Sequence, residues 1–302
     1  MNILITGGTG FTGRFLSEYL LKKGHRVVAL GRRPRHPLAQ TTGFSYISAD
    51  TTAGGAWQDA VQKVDAVINL AGKNIFHYWT DASKGQMRSS RIGTTRNLVA
   101  AMPANQAPIL LSASAIGYYG DRGGERLTES ASPGDDFLAG LSVDWESEAR
   151  RAESKGARVA LLRFSIILGR GGGALARMLP AFRFFAGGPL GTGRQWFSWV
   201  HIQDLAAAVE MVLQNPDVAG PLNICAPQPV RNRDYAAALG QALGRPSFLR
   251  APAFAIKTLM GELGGVMLGS QRCLPERLEQ FQFQFKFPDI ETALADIVKG
   301  EG

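Results

Sequence analysis

Short apolar runs alternate with segments of helical periodicity along most of the chain. Ile3, Leu4 and Ile5 form a run long enough for a buried strand and too short for a core helix. From Arg14 to Lys23 the pattern turns helical, with Phe15, Leu16, Tyr19 and Leu20 on one face and Gly24 at the C-cap position. Arg26 to Leu30, Phe44 to Ala49 and Asp65 to Leu70 read as the second, third and fourth strands. Residues 84 to 102 predict a helix carrying Arg88, Arg91 and Arg96, and Ile109 to Ser112 a fifth strand. The segment around Trp145 is helical, and Val159 to Leu168 is a sixth strand. Helices are expected over Leu175 to Phe185, Ala206 to Leu213 and Asp234 to Leu243, with a short strand at Leu222 to Ile224. Strands separated by helical spacers predict an α/β architecture with a doubly wound parallel sheet. From Arg245 the composition shifts. Pro246 and Pro252, then an apolar segment with Gly261, Gly264, Gly265 and Gly269, predict a small helical appendage packed over the cleft.

Four glycines, Gly7, Gly8, Gly10 and Gly13, lie between the first strand and the first helix. Their spacing reads as Gly8-x-Gly10-x-x-Gly13 or as Gly7-x-x-Gly10-x-x-Gly13. Glycines there let the backbone turn tightly and approach a diphosphate, whose charge is met by the free N–H groups of the helix N-terminus. Strand, glycine turn and helix together predict a dinucleotide site, held by Gly7, Thr9, Gly10, Phe11, Thr12 and Gly13. The end of the second strand selects the dinucleotide. An NAD site places an acid there to accept from the ribose 2′-OH, whereas this chain has Gly31 followed by Arg32 and Arg33. Two guanidiniums attract a 2′-phosphate, so NADP(H) is favoured over NAD(H). Asp50 either meets the adenine amino group or caps a turn with Thr51 and Thr52. The small residues of Asn69-Leu70-Ala71-Gly72 let that loop pass close to the cofactor.

Composition narrows the function classes. The 302 residues are 45% hydrophobic, enough for a substantial core. The net charge of +8 is scattered, with no basic stripe interleaved with aromatics, so no nucleic-acid partner is expected. Cys225 and Cys273 have no metal-ligand spacing and suggest no disulfide framework, so no metal is expected. No apolar run approaches the length of a membrane span, and Met1 leads directly into the first strand. The expectation is a cytoplasmic protein with a small-molecule substrate and no membrane partner; monomer and dimer stay open.

Thr6-Gly7-Gly8-Thr9-Gly10-Phe11-Thr12-Gly13, Asn69-Leu70-Ala71-Gly72 and Ser112-Ala113-Ser114 resemble the extended short-chain dehydrogenase/reductase superfamily. More narrowly, Ser112 to Gly120, Leu168 to Gly173 and Trp199 to Leu205 are similar to an atypical NAD(P)-dependent epimerase-family branch. Residues 247 to 295 resemble that branch's short C-terminal domain of uncharacterised function. The resemblance implies a Rossmann-type sheet, a nicotinamide cofactor and a substrate cleft built from the C-terminal third. It implies an NADP-binding domain over residues 1–168, with 197–226 returning to it. Residues 169–196 and 227–302 then form the substrate-binding region and the helical appendage. Arg91, Ser112 and Phe164 join the expected cofactor contacts.

Superfamily members pair a strand-five serine with Tyr-x-x-x-Lys on the next helix, where residues four apart share a face. The lysine lowers the tyrosine pKa, and the phenolate acts as base. Here Ser114 (or Ser112) fits the serine role, but the tyrosine position falls near Leu138 and the lysine near Ser142. Tyr118 and Tyr119 are the candidate phenols, and Tyr118 is either the substitute beside Ser114 or a packing residue. His201 is either a structural or an acid–base residue, Asp204 reads as a helix cap, and Asp135 and Asp136 as capping residues. Gly169 to Gly173 either cradles an anion or forms a loop, and Gly187 to Trp199 suits a substrate wall or a plain hairpin. Two functions follow. One is an NADP(H)-dependent oxidoreductase or epimerase acting on a small polar metabolite. The other is a non-catalytic NADP(H)-binding redox sensor or partner-binding protein.

Overall fold

The computed structural model describes residues 1–104 and 107–299. In chain order its strands are β1 (Asn2–Thr6), β2 (Arg26–Gly31), β3 (Phe44–Ser48), β4 (Ala66–Asn69), β5 (Ile109–Ala115), β6 (Arg126–Leu127) and β7 (Val159–Phe164). They continue with β8 (Ile166–Leu168), β9 (Trp196–Phe197), β10 (Trp199–His201), β11 (Gly220–Ile224), β12 (Val230–Arg231) and β13 (Arg272–Cys273). Seven form one parallel sheet in the order β11-β7-β5-β4-β1-β2-β3. The chain winds outward to β3 on one side of β1 and to β11 on the other. The switch lies between β1 and β4, and in open sheets of this kind ligands bind beyond the C-terminal strand ends at that point.

The longer helices are α1 (Phe11–Lys22), α2 (Asp81–Arg88), α3 (Thr94–Ala101), α4 (Phe137–Arg150), α5 (Leu175–Arg183), α6 (Ile202–Gln214) and α7 (Asn232–Leu243). The C-terminal region adds α8 (Ala253–Met260), α9 (Glu262–Leu268), α10 (Glu276–Gln280) and α11 (Ile290–Lys299). Side chains alternate across a strand, and β1 shows why its whole run is apolar. Ile3 and Ile5 enter a core with Leu16 and Leu20 of α1 and Val209 of α6. Leu4 enters the opposite core with Leu98 of α3 and Ala149 of α4. A smaller core joins Leu175 and Leu179 of α5, Tyr235 and Leu239 of α7, and Ile290 and Leu294 of α11.

Most boundaries shift by a few residues from the periodicity, and three of the departures have a clear physical cause. The helix expected over 84–102 begins earlier, because Thr80 and Ser83 exchange capping hydrogen bonds, and it runs through a π-turn at Ser89–Gly93 between α2 and α3. The fifth strand extends to Ala115, pairing Ser114 with Arg163 in register. The sixth strand leaves the sheet after Phe164. Ser165 donates both its N–H and its hydroxyl to Ile224 O, and β8 then pairs with β10 instead.

Asp204 does not cap α6. His201 occupies that place, its Nδ1 accepting from Gln203 N–H. The buried Asp204 carboxylate reaches across to the backbone N–H groups of Lys286 (2.8 Å) and Phe287 (3.0 Å), fastening the chain leading into α11. Burial raises its pKa, against the pull of those two donors.

Candidate functional site

The glycines of the β1–α1 turn sit where backbone meets backbone. Gly7 has φ +66°, and a β-carbon there would lie 2.9 Å from Leu70 O. At Gly13 a β-carbon would lie 2.4 Å from Gly7 O, and at Gly8 one would lie 2.6 Å from the Ala29 β-carbon. Gly10 donates to Gly7 O and caps α1 without a side chain, so no capping group occupies the space before the first helical N–H groups. The Phe11 ring packs against the loop after β8. The Gly169–Gly173 loop wraps it closely, since β-carbons at Gly172 and Gly169 would lie 2.3 and 2.9 Å from ring atoms. That loop therefore encloses an aromatic ring, and Arg170 ties it to α11 through Ile297 O.

Two residues absent from the sequence reading hold the glycine turn and the end of β2. His36 is buried, and its Nδ1 accepts from Leu38 N–H, which leaves the proton on Nε2, 3.2 Å from Gly8 O. The Tyr46 hydroxyl meets Gly31 O at 2.9 Å and Arg33 O at 2.5 Å, fixing the turn that carries Arg32 and Arg33. Both arginines are exposed. Thr9 packs on Gly31, where a β-carbon would lie 2.8 Å from its hydroxyl oxygen. Asp50 does cap a turn. Its Oδ1 accepts from Thr52 N–H (3.0 Å) and hydroxyl (2.7 Å), which lowers its pKa, and Arg32 adds a further pull.

Beyond β4 the Thr6 hydroxyl donates to Asn69 Oδ1 at 2.7 Å and accepts from the N–H groups of Leu70 and Ala71. The Asn69 amide donates to Thr95 at 2.8 Å and to the Ser112 hydroxyl at 3.3 Å, and Trp145 Nε1 also reaches Thr95. Every polar atom in this knot has a partner, so the strand ends are rigid. Arg91, in the π-turn, lies against Gly72, its Cζ 3.0 Å from where a β-carbon would be. It donates to Lys73 O and Met87 O, lies 5.3 Å from the Trp145 ring, and pairs with no carboxylate among the described residues. Burial lowers its pKa to about 10, so it stays charged at neutral pH. Such π-turns recur at functional sites.

Ser114 stands at the end of β5, 3% exposed, and its hydroxyl donates to Glu146 Oε1 at 2.7 Å. Glu146 also takes Arg163 in a buried bidentate pair, Nε to Oε1 at 2.8 Å and the second nitrogen to Oε2 at 2.9 Å. Burial opposes the Arg163 charge, yet Glu146 and Tyr119 hold its pKa above the ordinary value. Arg163 donates to the Tyr119 hydroxyl (3.0 Å), which donates to Asn223 Oδ1 (2.7 Å). Its Cζ lies 3.6 Å from the centre of the half-buried Tyr118 ring. Helix α4, N-capped by Asp136, contains neither tyrosine nor lysine. Leu138 packs where a Gly117 β-carbon would be, at 3.3 Å, and Ser142 is buried. Phe164, half-buried, ends β7 opposite Ala115. No cluster of metal-ligating side chains occurs among the described residues.

His201 is placed as a structural group, its ring 3.9 Å from that of Phe287 and its Nε2 3.4 Å from Asp296 Oδ2. Burial drives its pKa down to about 4, with Lys286 and Arg170 acting in the same direction and Asp296 against them. A folded-state pKa below the unfolded value of roughly 6.5 stabilises the protein above that pH. The contribution is lost as pH falls from about 6.5 towards about 4. His201→Asn keeps an N-cap acceptor and removes the titration. Urea melts across that window are expected to show a shallower acid loss in the variant; an unchanged slope would reject the assignment.

A sequence profile described as the NAD dependent epimerase/dehydratase family matches residues 3–225. One described as a domain of unknown function (DUF1731) matches residues 251–297. An Arabidopsis thaliana protein named epimerase family protein SDR39U1 homolog, chloroplastic, is 39% identical over 303 residues, covering 99% of this chain and 87% of its own. The crystal structure of human epimerase family protein SDR39U1 (isoform 2) with NADPH superimposes with a TM-score of 0.88 at 33% identity, covering 99% of each chain. MoeE5 in complex with UDP-glucuronic acid and NAD shares the fold, at TM-score 0.81 and 20% identity over 99% of this chain and 98% of its own.

Proposed function

The chain belongs to the NAD dependent epimerase/dehydratase family, and on that premise we propose that it is an NADP(H)-dependent oxidoreductase or epimerase of the extended short-chain dehydrogenase type acting on a small polar metabolite. The end of β2 carries the cofactor choice. Arg32 and Arg33 stand exposed there, Tyr46 holds their turn, and no acid occupies the place that would accept from a ribose 2′-OH. The human relative binds NADPH, which supports the same choice. The NAD of MoeE5 comes with 20% identity and bears on the fold alone.

The cradle fits a dinucleotide, since β-carbons at Gly7, Gly13 and Gly31 would each run into neighbouring atoms at 2.9 Å or less. The N–H groups opening α1 hold the diphosphate, with Thr9, Gly10 and Thr12 around it. Leu70, Ala71, Gly72, Ser112 and Phe164 line the rest, and Arg91 adds a positive charge beside Gly72. The nicotinamide, when bound, supplies hydride transfer. Ser114 gives its proton to Glu146, so it offers a lone pair to a substrate hydroxyl and has no proton for a carbonyl. Tyr118 contributes a phenol steadied by the Arg163 guanidinium. Residues 169–196 and 227–299 supply the substrate wall.

Titration of the protein with NADPH and NADH tests this. Arg32→Ala/Arg33→Ala is expected to weaken NADPH by about a hundredfold, two charge-assisted contacts at about 1.5 kcal/mol each, with NADH within a factor of about two. Equal losses for both dinucleotides would overturn the 2′-phosphate assignment. A non-catalytic NADP(H)-binding protein is the second reading, favoured by the missing tyrosine and lysine of α4. Ser114→Ala and Tyr118→Phe separate the two: abolished turnover with NADPH binding retained supports the enzyme.

A further inference from the structure

We propose that Arg272, Arg231 and Trp196 form a subsite for an oxyanion group of the substrate, a phosphate or a carboxylate. The proposal rests on the reading of the chain as an NADP(H)-dependent enzyme with a small-molecule substrate. Arg272, half-buried in β13, has its Cζ 4.5 Å from the centre of the Trp196 ring. It donates no hydrogen bond to a protein acceptor and pairs with no carboxylate among the described residues, and its buried Nε has no partner. The antiparallel pairing of β12 with β9 sets Arg231 opposite Trp196, and its Cζ lies 3.9 Å from the same ring. Arg231 makes one hydrogen bond, to Arg194 O. The Trp196 Nε1 is a second buried donor without an acceptor.

Two guanidiniums and an indole N–H are all donors. Buried donors without acceptors are costly, and folded proteins satisfy nearly all of them. An oxyanion supplies acceptors in the geometry a guanidinium fork matches, and stacking on the indole limits how that fork can turn. Neighbouring charges favour the same ligand. Arg122 is already taken by Glu125, and Asp121 Oδ1 accepts from Gly123 and Ser270 N–H. Arg126, opposite Arg272 in register, and Arg194 have no paired carboxylate among the described residues.

The place in the fold points to substrate. Gln271 donates to Gly120 O at 3.0 Å, and Arg122 N–H donates to Ser270 O at 3.0 Å. These bonds lace the Arg272 segment to the loop that leaves β5 through Ser114 and Tyr118. Cys273, the next residue, is buried in one cluster with Tyr119, and Tyr118 packs against it. A group held on Arg272 therefore belongs to a molecule reaching along this loop.

The test uses the five tryptophan indole N–H signals of the 15N-labelled, NADPH-saturated protein, with Trp196 assigned through Trp196→Phe. Pyrophosphate and malonate are titrated separately at constant ionic strength. The Trp196 signal is expected to shift saturably with at least one of them. Pyrophosphate acting alone assigns a phosphate group, malonate alone a carboxylate. Arg272→Met is expected to weaken that anion about tenfold or more with NADPH affinity within about twofold, and Arg231→Met serves if that variant does not fold. A Trp196 signal that stays still with both anions, or a variant that titrates like wild type, overturns the subsite. Failure of NADPH to bind would strike the cofactor reading instead, and the same anion titration on the cofactor-free protein and Arg272→Met would then decide the subsite alone.

Discussion

Glu146→Ala is expected to lower folding stability by about 3–5 kcal/mol, the range for breaking a buried ion pair from one side. Glu146 accepts from Ser114 and from two Arg163 nitrogens, and the side chains of the pair are 6% and 3% exposed. Without the carboxylate, Arg163 is a buried guanidinium with no counter-charge and Ser114 a buried hydroxyl with no acceptor. The cost comes from the orphaned partners more than from the lost attraction. The double variant Glu146→Met/Arg163→Met is therefore expected to recover most of the loss, because uncharged side chains of similar length carry no such penalty. Urea unfolding of the wild type and both variants is the measurement. A single-variant loss below about 1 kcal/mol, the range of exposed pairs, would show that the pair is hydrated. Any fall in turnover must be judged against this loss, since a positioning defect at Ser114 and global unfolding look alike in a crude assay.

The second large effect belongs to Gly13→Ala. Its β-carbon would lie 2.4 Å from Gly7 O and 2.8 Å from Gly8 Cα, both backbone atoms that no rotamer change can move. Either α1 retreats or the turn opens, and each displaces the N–H groups that we propose hold the diphosphate. NADPH affinity is expected to fall by at least about a hundredfold, with about 1–3 kcal/mol lost from stability as for other overpacked sites. Calorimetric titration beside thermal melting checks both numbers. Unchanged affinity would mean that the diphosphate is held elsewhere.

The sheet and the glycine cradle were legible because each rests on local necessity. Ile3, Leu4 and Ile5 are apolar since both faces of β1 are covered, and Gly7 and Gly13 are glycine since backbone fills the β-carbon's place. The end of β5 was hidden because Ser112-Ala113-Ser114 has little hydrophobic signal, although it continues the ladder. The break at Ser165 depends on Ile224, far along the chain. His36 and Tyr46 belong to no motif; each acts through backbone oxygens brought near by folding. Glu146 left one trace. It is an acid one turn after Ser142 on the face of α4 that also carries Leu141, Trp145 and Ala149, all buried. A carboxylate on such a face calls for a buried donor, and sequence alone does not say that Arg163 and Ser114 supply it.

The last strand of the sheet carries a timetable. Asn223 of β11 donates its side-chain amide to Leu127 O and Leu274 O, while its N–H and that of Arg277 converge on Glu129 Oε1. Three stretches separated by about a hundred and by fifty residues close this one knot. On a ribosome adding residues from the N-terminus, β1 to β5 and their helices can assemble early. Glu129 must wait for its second N–H donor until Arg277 has cleared the exit tunnel, and the Asn223 amide for its second acceptor until Leu274 has. The nucleotide cradle is thus among the first parts of the molecule to take shape, and the floor beneath Tyr118 and Tyr119 among the last.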